Sequence, residues 1–339
     1  MYFATKNIIL EVYLLIKIEG LSKTFKVARR SSGLGEAVRS FFSPKYSEVN
    51  ALRDVSFSID EGEIVGYIGP NGAGKSTTIK VMSGILVPDS GDCNIMGYVP
   101  WRDRVQYVKN IGVVFGQRSQ LWWDVPIVDS FELLRDIYRV PEDNYRKNLN
   151  MLTETLNLSE IINTPARQLS LGQRMRCELA ASLIHDPKIL FLDEPTIGLD
   201  AISKIAVRNF IKTINKENNV TVILTTHDMN DIETLANRII MIGKGQILYD
   251  GNLNKLRDKF VTHKTVTIDY NENASPIELN GAALLSWSKD RATYAVDIKQ
   301  RGVSDVISEL SAKLEIIDVA VDSEPIEEII IKLYKEHQV

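Results

Sequence analysis

The apolar positions of the chain fall into blocks of different period. Over residues 14–68 they alternate with polar ones, as in LLIKIEGL, ALRDVSFSID and GEIVGYIG. Alternation of period two predicts half-buried strands. The pattern breaks over residues 26–50, which read as an insertion. From residue 69 to 254 helical and strand patterns take turns. KILFLDEP and VTVILTTHD are short apolar runs bounded by polar turns, as expected of parallel strands buried on both faces. VDSFELLRDIYRV and QRMRCELAASLIHDP have helical spacing and predict a helical subdomain over about residues 117–187. After residue 254 the texture changes. TVTIDY, AALLSWS, ATYAVDI and EIIDVAVD read as strands, and VSDVISELSAKL and IEEIIIKLYKEH as helices. The expected architecture is α/β: a domain over 1–254 with a mixed sheet core, an antiparallel β subdomain and a helical subdomain, then a small α+β domain over 255–339.

Composition narrows the function classes. Lys and Arg total 40 against 44 Asp and Glu, giving a net charge of −4. No overall basic bias draws the chain to nucleic acid or anionic lipid. Cys93 and Cys177 are far apart and lack metal-ligand spacing, so both are expected to be small buried thiols in a reducing compartment. The longest apolar stretch, IILEVYLLI at residues 8–16, contains Glu11 and reads as an extended first strand. A membrane span needs about 20 apolar residues. No small-residue cleavage site follows that stretch, so the expected location is cytoplasmic.

One stretch carries strong chemistry. Gly69, Pro70, Asn71, Gly72, Ala73, Gly74, Lys75, Ser76 and Thr77 spell GPNGAGKST between a strand pattern and a helix pattern. Glycines let a backbone wrap phosphate, and amides at a helix N-terminus form an anion nest. Lys75 would reach the β- and γ-phosphates, and Ser76 would ligate Mg²⁺. ATP and Mg²⁺ are the expected ligands. KILFLDEP ends on Asp193, placed to hold Mg²⁺, and Glu194, placed to accept a proton from an attacking water.

A second phosphate-type turn, LSLGQRMR at residues 169–176, opens another helix. Its Arg174 and Arg176 read either as further cations for phosphate or as ordinary exposed helix residues. With this turn the chain resembles the nucleotide-binding subunit of ATP-binding cassette (ABC) transporters over roughly residues 18–254. Gly69 to Thr77 resemble its Walker A, Gln117 its Q-loop glutamine, and Leu169, Ser170, Leu171, Gly172 and Gln173 its signature. Asp193 and Glu194 resemble the end of its Walker B, TIGLD ending in Asp200 its D-loop, and His227 its switch histidine. The order of the six is specific where any one is weak.

The resemblance implies a P-loop NTPase fold of the ABC type and ATP hydrolysis. It also implies why there are two phosphate turns: the signature serves the ATP held by a second subunit, so the chain works as a homodimer or beside a sister ATPase. Glu194, His227 and Gln117 would be catalytic, with Gln117 also touching Mg²⁺. Ser170, Leu171, Gly172, Gln173 and Asp200 would face the partner's nucleotide. Leu171 stands where glycine is commonest, and its side chain is expected to point away from the nucleotide. Phe25 in GLSKTF is the best match for the residue that stacks on adenine, with Tyr46 the alternative.

The segment GQRSQLWWDVP resembles the region that receives a coupling helix of the membrane subunit. Trp122 or Trp123 is expected to line that groove, since two adjacent tryptophans do not both face one core. LSKTF, the insertion and FGQRSQLWWD together resemble one bacterial branch of type-two exporters, near drug- and viologen-exporter-like ATPases. The basic insertion, with Lys26, Arg29, Arg30, Arg39 and Lys45, reads either as lying near headgroups or the partner or as a solvated loop. The carboxy-terminal domain reads as a dimer contact, a regulator or a brace. The expected function is the ATPase subunit of an exporter, held at the cytoplasmic face by a separate permease. The alternatives are a soluble ABC-type ATPase acting on nucleic acid or ribosomes, and a non-hydrolysing ATP-gated module. No coiled coil, zinc insertion or second cassette favours the former, and Glu194 and His227 argue against the latter.

Overall fold

The structure, a computed structural model, describes residues 14–28, 46–116, 118–260, 263–271 and 275–337. The chain divides into two compact units, Met1–Gly251 and Asn252–Val339.

The first unit opens with two long strands, β1 (Ile16–Ala28) and β2 (Tyr46–Ile59), paired antiparallel. The ladder runs on into the stretch read as an insertion, because opposite charges face each other at Lys26 and Glu48 and apolar groups at Phe25 and Val49. The expected insertion is therefore strand at both ends. Arg29, Arg30, Arg39 and Lys45 lie outside the described residues, as do residues 8–13 of the expected first strand. Next come β3 (Ile64–Ile68), helix α1 (Lys75–Met82), β4 (Ser90–Ile95), the single turn α2 (Arg104–Tyr107) and β5 (Ile111–Phe115). The helical stretch follows: α3 (Ile127–Tyr138), α4 (Glu142–Thr155) and α5 (Leu171–Leu183). Then β6 (Ile189–Asp193), α6 (Ala201–Asn218), β7 (Thr221–Thr225), α7 (Met229–Leu235), β8 (Arg238–Gly243) and β9 (Gln246–Asn252) complete the sheets.

A three-stranded sheet has the order β2-β1-β4, and a six-stranded one β5-β6-β7-β3-β8-β9. From β5 to β8 all pairings are parallel. These strands are apolar along their length because both faces are covered: every residue of β7 is buried, and every residue of β8 after the first. The two-residue turn Lys244-Gly245, with φ of 48° and 80°, folds β9 back on β8. One apolar core joins the two sheets, with Leu21, Val55, Tyr67, Ile79, Phe191 and Ile240 buried in it. Cys93 and Cys177 are free and buried, and burial pushes both thiols up to about 12.

The second unit holds helix α8 (Leu253–Phe260), strands β10 (His263–Tyr270), β11 (Ala282–Trp287) and β12 (Arg291–Asp297), helix α9 (Val303–Ser311), strand β13 (Ile316–Ser323) and helix α10 (Ile326–Glu336). Its antiparallel sheet has the order β11-β12-β10-β13. Val266, Ile268, Tyr294 and Val296 form a core of its own with Val306 and Leu310 of α9.

Candidate functional site

The parallel register sets the site. Phe115, Asp193 and Thr225 are ladder neighbours at the carboxyl ends of β5, β6 and β7, and β3 ends beside them. In such sheets the crevice beyond these ends receives ligands. The turn after β3 is GPNGAGK. Gly74 caps α1 with φ 114°, and a Cβ there would stand 2.5 Å from Ala51 O. Gly69 is packed against the backbone of Ile242, so neither position accepts a side chain. Lys75 is buried, and its ammonium donates to Gly69 O at 2.7 Å and Pro70 O at 3.2 Å, across the mouth of the loop. Burial lowers the Lys75 pKa, while the charges of Glu194 and Asp193 act to raise it. The loop thus presents backbone amides, a helix N-terminus and one cation, the means to hold phosphate.

Asp193 Oδ1 accepts from Thr225 Oγ1 at 2.5 Å and from Ser76 Oγ at 3.4 Å. This hydroxyl and carboxylate are hard oxygen donors of the kind Mg²⁺ takes. Glu194 follows with φ 56°, a left-handed backbone rare for a non-glycine residue. Its N–H donates to Thr225 O at 2.9 Å and to Thr225 Oγ1 at 3.2 Å. Gly116 packs so closely on Glu194 O that a Cβ would not fit. His227 follows β7 by two residues, and its Nδ1 lies 3.5 Å from Glu194 Oε1. Asn71, Ser76, Asp193, Glu194 and His227 line one cleft of about 670 Å³, together with Lys80 and Arg118.

The second turn is built differently. Ser170 N–H donates to Gln173 Oε1 at 2.9 Å, and Gln173 N–H donates to Ser170 Oγ at 3.2 Å, a reciprocal capping box. Gly172 faces Ser203 Oγ so closely that any side chain would collide. Ser203 is held in turn by Asp200, which caps α6 through Ser203 N at 2.9 Å and Ser203 Oγ at 2.7 Å. These two bonds hold the Asp200 carboxyl below its ordinary value. Leu171 Cδ2 lies against Gly198, 3.0 Å from where a Cβ would be. Ser170, Leu171, Gly172, Gln173 and Asp200 thus form one cluster, and none of them is among the described residues lining the cleft. The two arginines are engaged within the chain: Arg174 stacks over Trp123 at 5.4 Å, and Arg176 donates to Leu156 O at 2.8 Å.

Trp122 and Trp123 are both exposed, 43% and 50%. Trp123 shares a hollow of about 190 Å³ with Leu171, Arg174 and Glu178. Gln117 lies outside the described residues. Its neighbours are fastened to α5 by buried Glu178, which accepts from Ser119 Oγ and, at 3.2 Å, from Gln120 N. Burial raises the Glu178 carboxyl despite these bonds. Phe25 is half-buried on β1, two residues past Lys23, which pairs with Leu52 where β2 touches Gly74. Tyr46 pairs with Ala28, three rungs or about 10 Å further along the ladder. The sequence reading missed Thr225, Asp231 and Glu178, and named Thr196 only as the start of TIGLD. The signal for the first lay in VILTTHD, where a hydroxyl closes a buried strand two residues before the histidine.

The chain has known relatives. The ABC transporter family matches residues 52–197. NatA of Bacillus subtilis, an ABC transporter ATP-binding protein, is 31% identical over 63% of this chain and 87% of its own length. The chain belongs to the ABC transporter ATP-binding family. The linearmycin resistance ATP-binding protein LnrL of the same organism is 32% identical over 62% of this chain and 67% of its own. A dimeric ATP-binding cassette solved in a post-hydrolysis state with ADP and Pi superposes with a TM-score of 0.58, at 27% identity, over 70% of this chain and 98% of that one. The cassette is that of an ATPase. The chain spans about a quarter of the length of two Dictyostelium discoideum relatives, ABC transporter A family members 8 and 1.

Proposed function

We propose that this chain is the ATP-hydrolysing subunit of a membrane transporter and acts as a pair, each copy completing the other's site. One observation carries this: the signature cluster is fully built, yet none of its residues is among those lining the cleft that Ser76, Asp193 and Glu194 share. A phosphate-type turn at a helix N-terminus, unused by its own cleft, suits the γ-phosphate held by a second copy. Two copies of this chain suffice, because it carries both halves.

Lys75 and the loop amides bind the phosphates, and Phe25 stacks on adenine. Glu194 accepts the proton of the attacking water, while His227, beside its carboxylate, orients that water and the γ-phosphate. Ser76, Asp193 and Gln117 would hold Mg²⁺, which would offset phosphate charge. Closure then depends on the γ-phosphate and is released by its loss, a two-state element biased by ligand. No described helix is long and apolar enough to cross a membrane. A separate permease supplies the pore and docks at Trp122 and Trp123, holding the chain at the cytoplasmic face. Export is the direction supported by LSKTF and FGQRSQLWWD, although one matched relative is named for methionine import.

The test is ATP-dependent dimerisation of wild type and Glu194→Gln, each with and without Ser170→Arg. Glu194→Gln is expected to dimerise with ATP and turn over at least about 100-fold more slowly than wild type. Adding Ser170→Arg is expected to dissolve that dimer. A wild-type hydrolysis rate in Glu194→Gln would remove the assigned base, and a dimer indifferent to Ser170→Arg would remove the shared site.

A further inference from the structure

The residues flanking Glu194 and His227 meet on a carboxylate that no motif contains. Asp231, in the first turn of α7, is fully buried. It accepts from Arg208 Nε of α6 at 2.6 Å, from Thr226 Oγ1 at 3.1 Å and from Thr196 Oγ1. Thr196 lies two residues after Glu194, and Thr226 directly before His227. Both threonines are buried too, at 3% and 2% exposed. The cluster is balanced in charge. Arg208 also lies 3.6 Å from Asp228, which Lys204 binds at 2.6 Å.

This arrangement completes a bracket around a strained residue. Glu194, at φ 56°, is held on its near side by Thr225. A left-handed non-glycine residue persists only where its surroundings over-determine it. On the far side the chain is anchored at Thr196, and that anchor is Asp231. The same carboxylate grips the residue before His227, so one group ties both loops together.

We propose that Asp231 is a positioning residue that sets the spacing of Glu194 and His227 for hydrolysis, without part in nucleotide binding. The inference rests on Glu194 being the base. Lys75 and the loop amides stand on other elements, so affinity is separable from turnover. Losing the bracket lets the Glu194 backbone relax, and a misplaced base costs rate while leaving the cradle intact.

The test uses the full chain. Asp231→Asn is expected to lower kcat by about tenfold or more, with KM and affinity for a fluorescent ATP analogue within about threefold of wild type. Should Asp231→Asn fail to fold, the Thr196 pair decides. Thr196→Val is expected to lower kcat in the same way, and Thr196→Ser, which restores the hydroxyl, to recover it. A folded Asp231→Asn with wild-type kcat overturns the proposal. So does a loss of affinity that matches the loss of rate, or equal rates for Thr196→Val and Thr196→Ser. Glu194→Gln in the same assay keeps the two readings distinct: if it stays active the base is wrong, and if it is dead the Asp231 result stands alone.

Discussion

Gly72 and Gly74 lie in the same phosphate loop and both have positive φ, 79° and 114°, but their surroundings differ. A Cβ on Gly72 would meet no atom within 4 Å, whereas one on Gly74 would stand 2.5 Å from Ala51 O and 2.9 Å from Leu52 Cδ2. Gly72→Ala is therefore expected to lower stability by about 1 kcal/mol, the left-handed cost alone. Gly74→Ala adds a backbone collision and is expected to cost about 3 kcal/mol or more. Thermal unfolding without nucleotide would separate them, and equal losses would show that the loop yields at Gly74. At this scale much of the candidate site was legible, because phosphate binding needs a fixed order of glycines, Lys75 and Ser76 along one turn. Thr225, Thr196 and Asp231 were not legible. They act across strands or helix starts, and nothing local in TTHDMND says which hydroxyl meets which carboxylate.

The helical stretch is joined to the sheet by His185, just past the end of α5. Its ring stacks on Tyr138, the last residue of α3, with centroids 3.8 Å apart and planes at 3°. Its Nε2 lies 2.9 Å from Ile111 O, at the start of β5. Burial pushes its pKa from 6.5 down to about 4. Between those values the unfolded chain binds more protons than the folded one, so stability rises with pH across the window and is lost as pH falls through it. That loss is up to about 3 kcal/mol. Denaturation of wild type and His185→Gln at pH 7 and pH 4.5 tests this. The variant is expected to lose less stability on acidification, since every other group titrates alike in both. Equal losses would mean that His185 takes its proton in the folded state at an ordinary pH. Elements of this kind were readable where one period held over a whole segment, as in KILFLDEP and VTVILTT. The stretch at 26–50 was not, because its ladder depends on cross-strand pairs such as Lys26 with Glu48, which a linear pattern does not display.

Every described residue assigned to nucleotide chemistry falls in Met1–Gly251, while Asn252–Val339 has its own sheet and its own apolar core. Two cores of this kind are expected to unfold as two transitions. The residues proposed to bind ATP lie in the first unit, so ATP is expected to stabilise one transition and leave the other where it was. At a hundredfold excess over Kd the gain is about 2.7 kcal/mol. For a unit of this size that corresponds to a rise of about 5–10 °C. Calorimetry of the full-length Glu194→Gln variant, with and without ATP and Mg²⁺, reads both transitions while avoiding turnover. The chain cut back to residues 1–251 is expected to keep the ATP-responsive transition, its shift and its affinity. If both transitions move together with ATP, the second unit is coupled to nucleotide and acts as a regulator or a dimer contact. If the shortened chain loses affinity, the second unit braces the first.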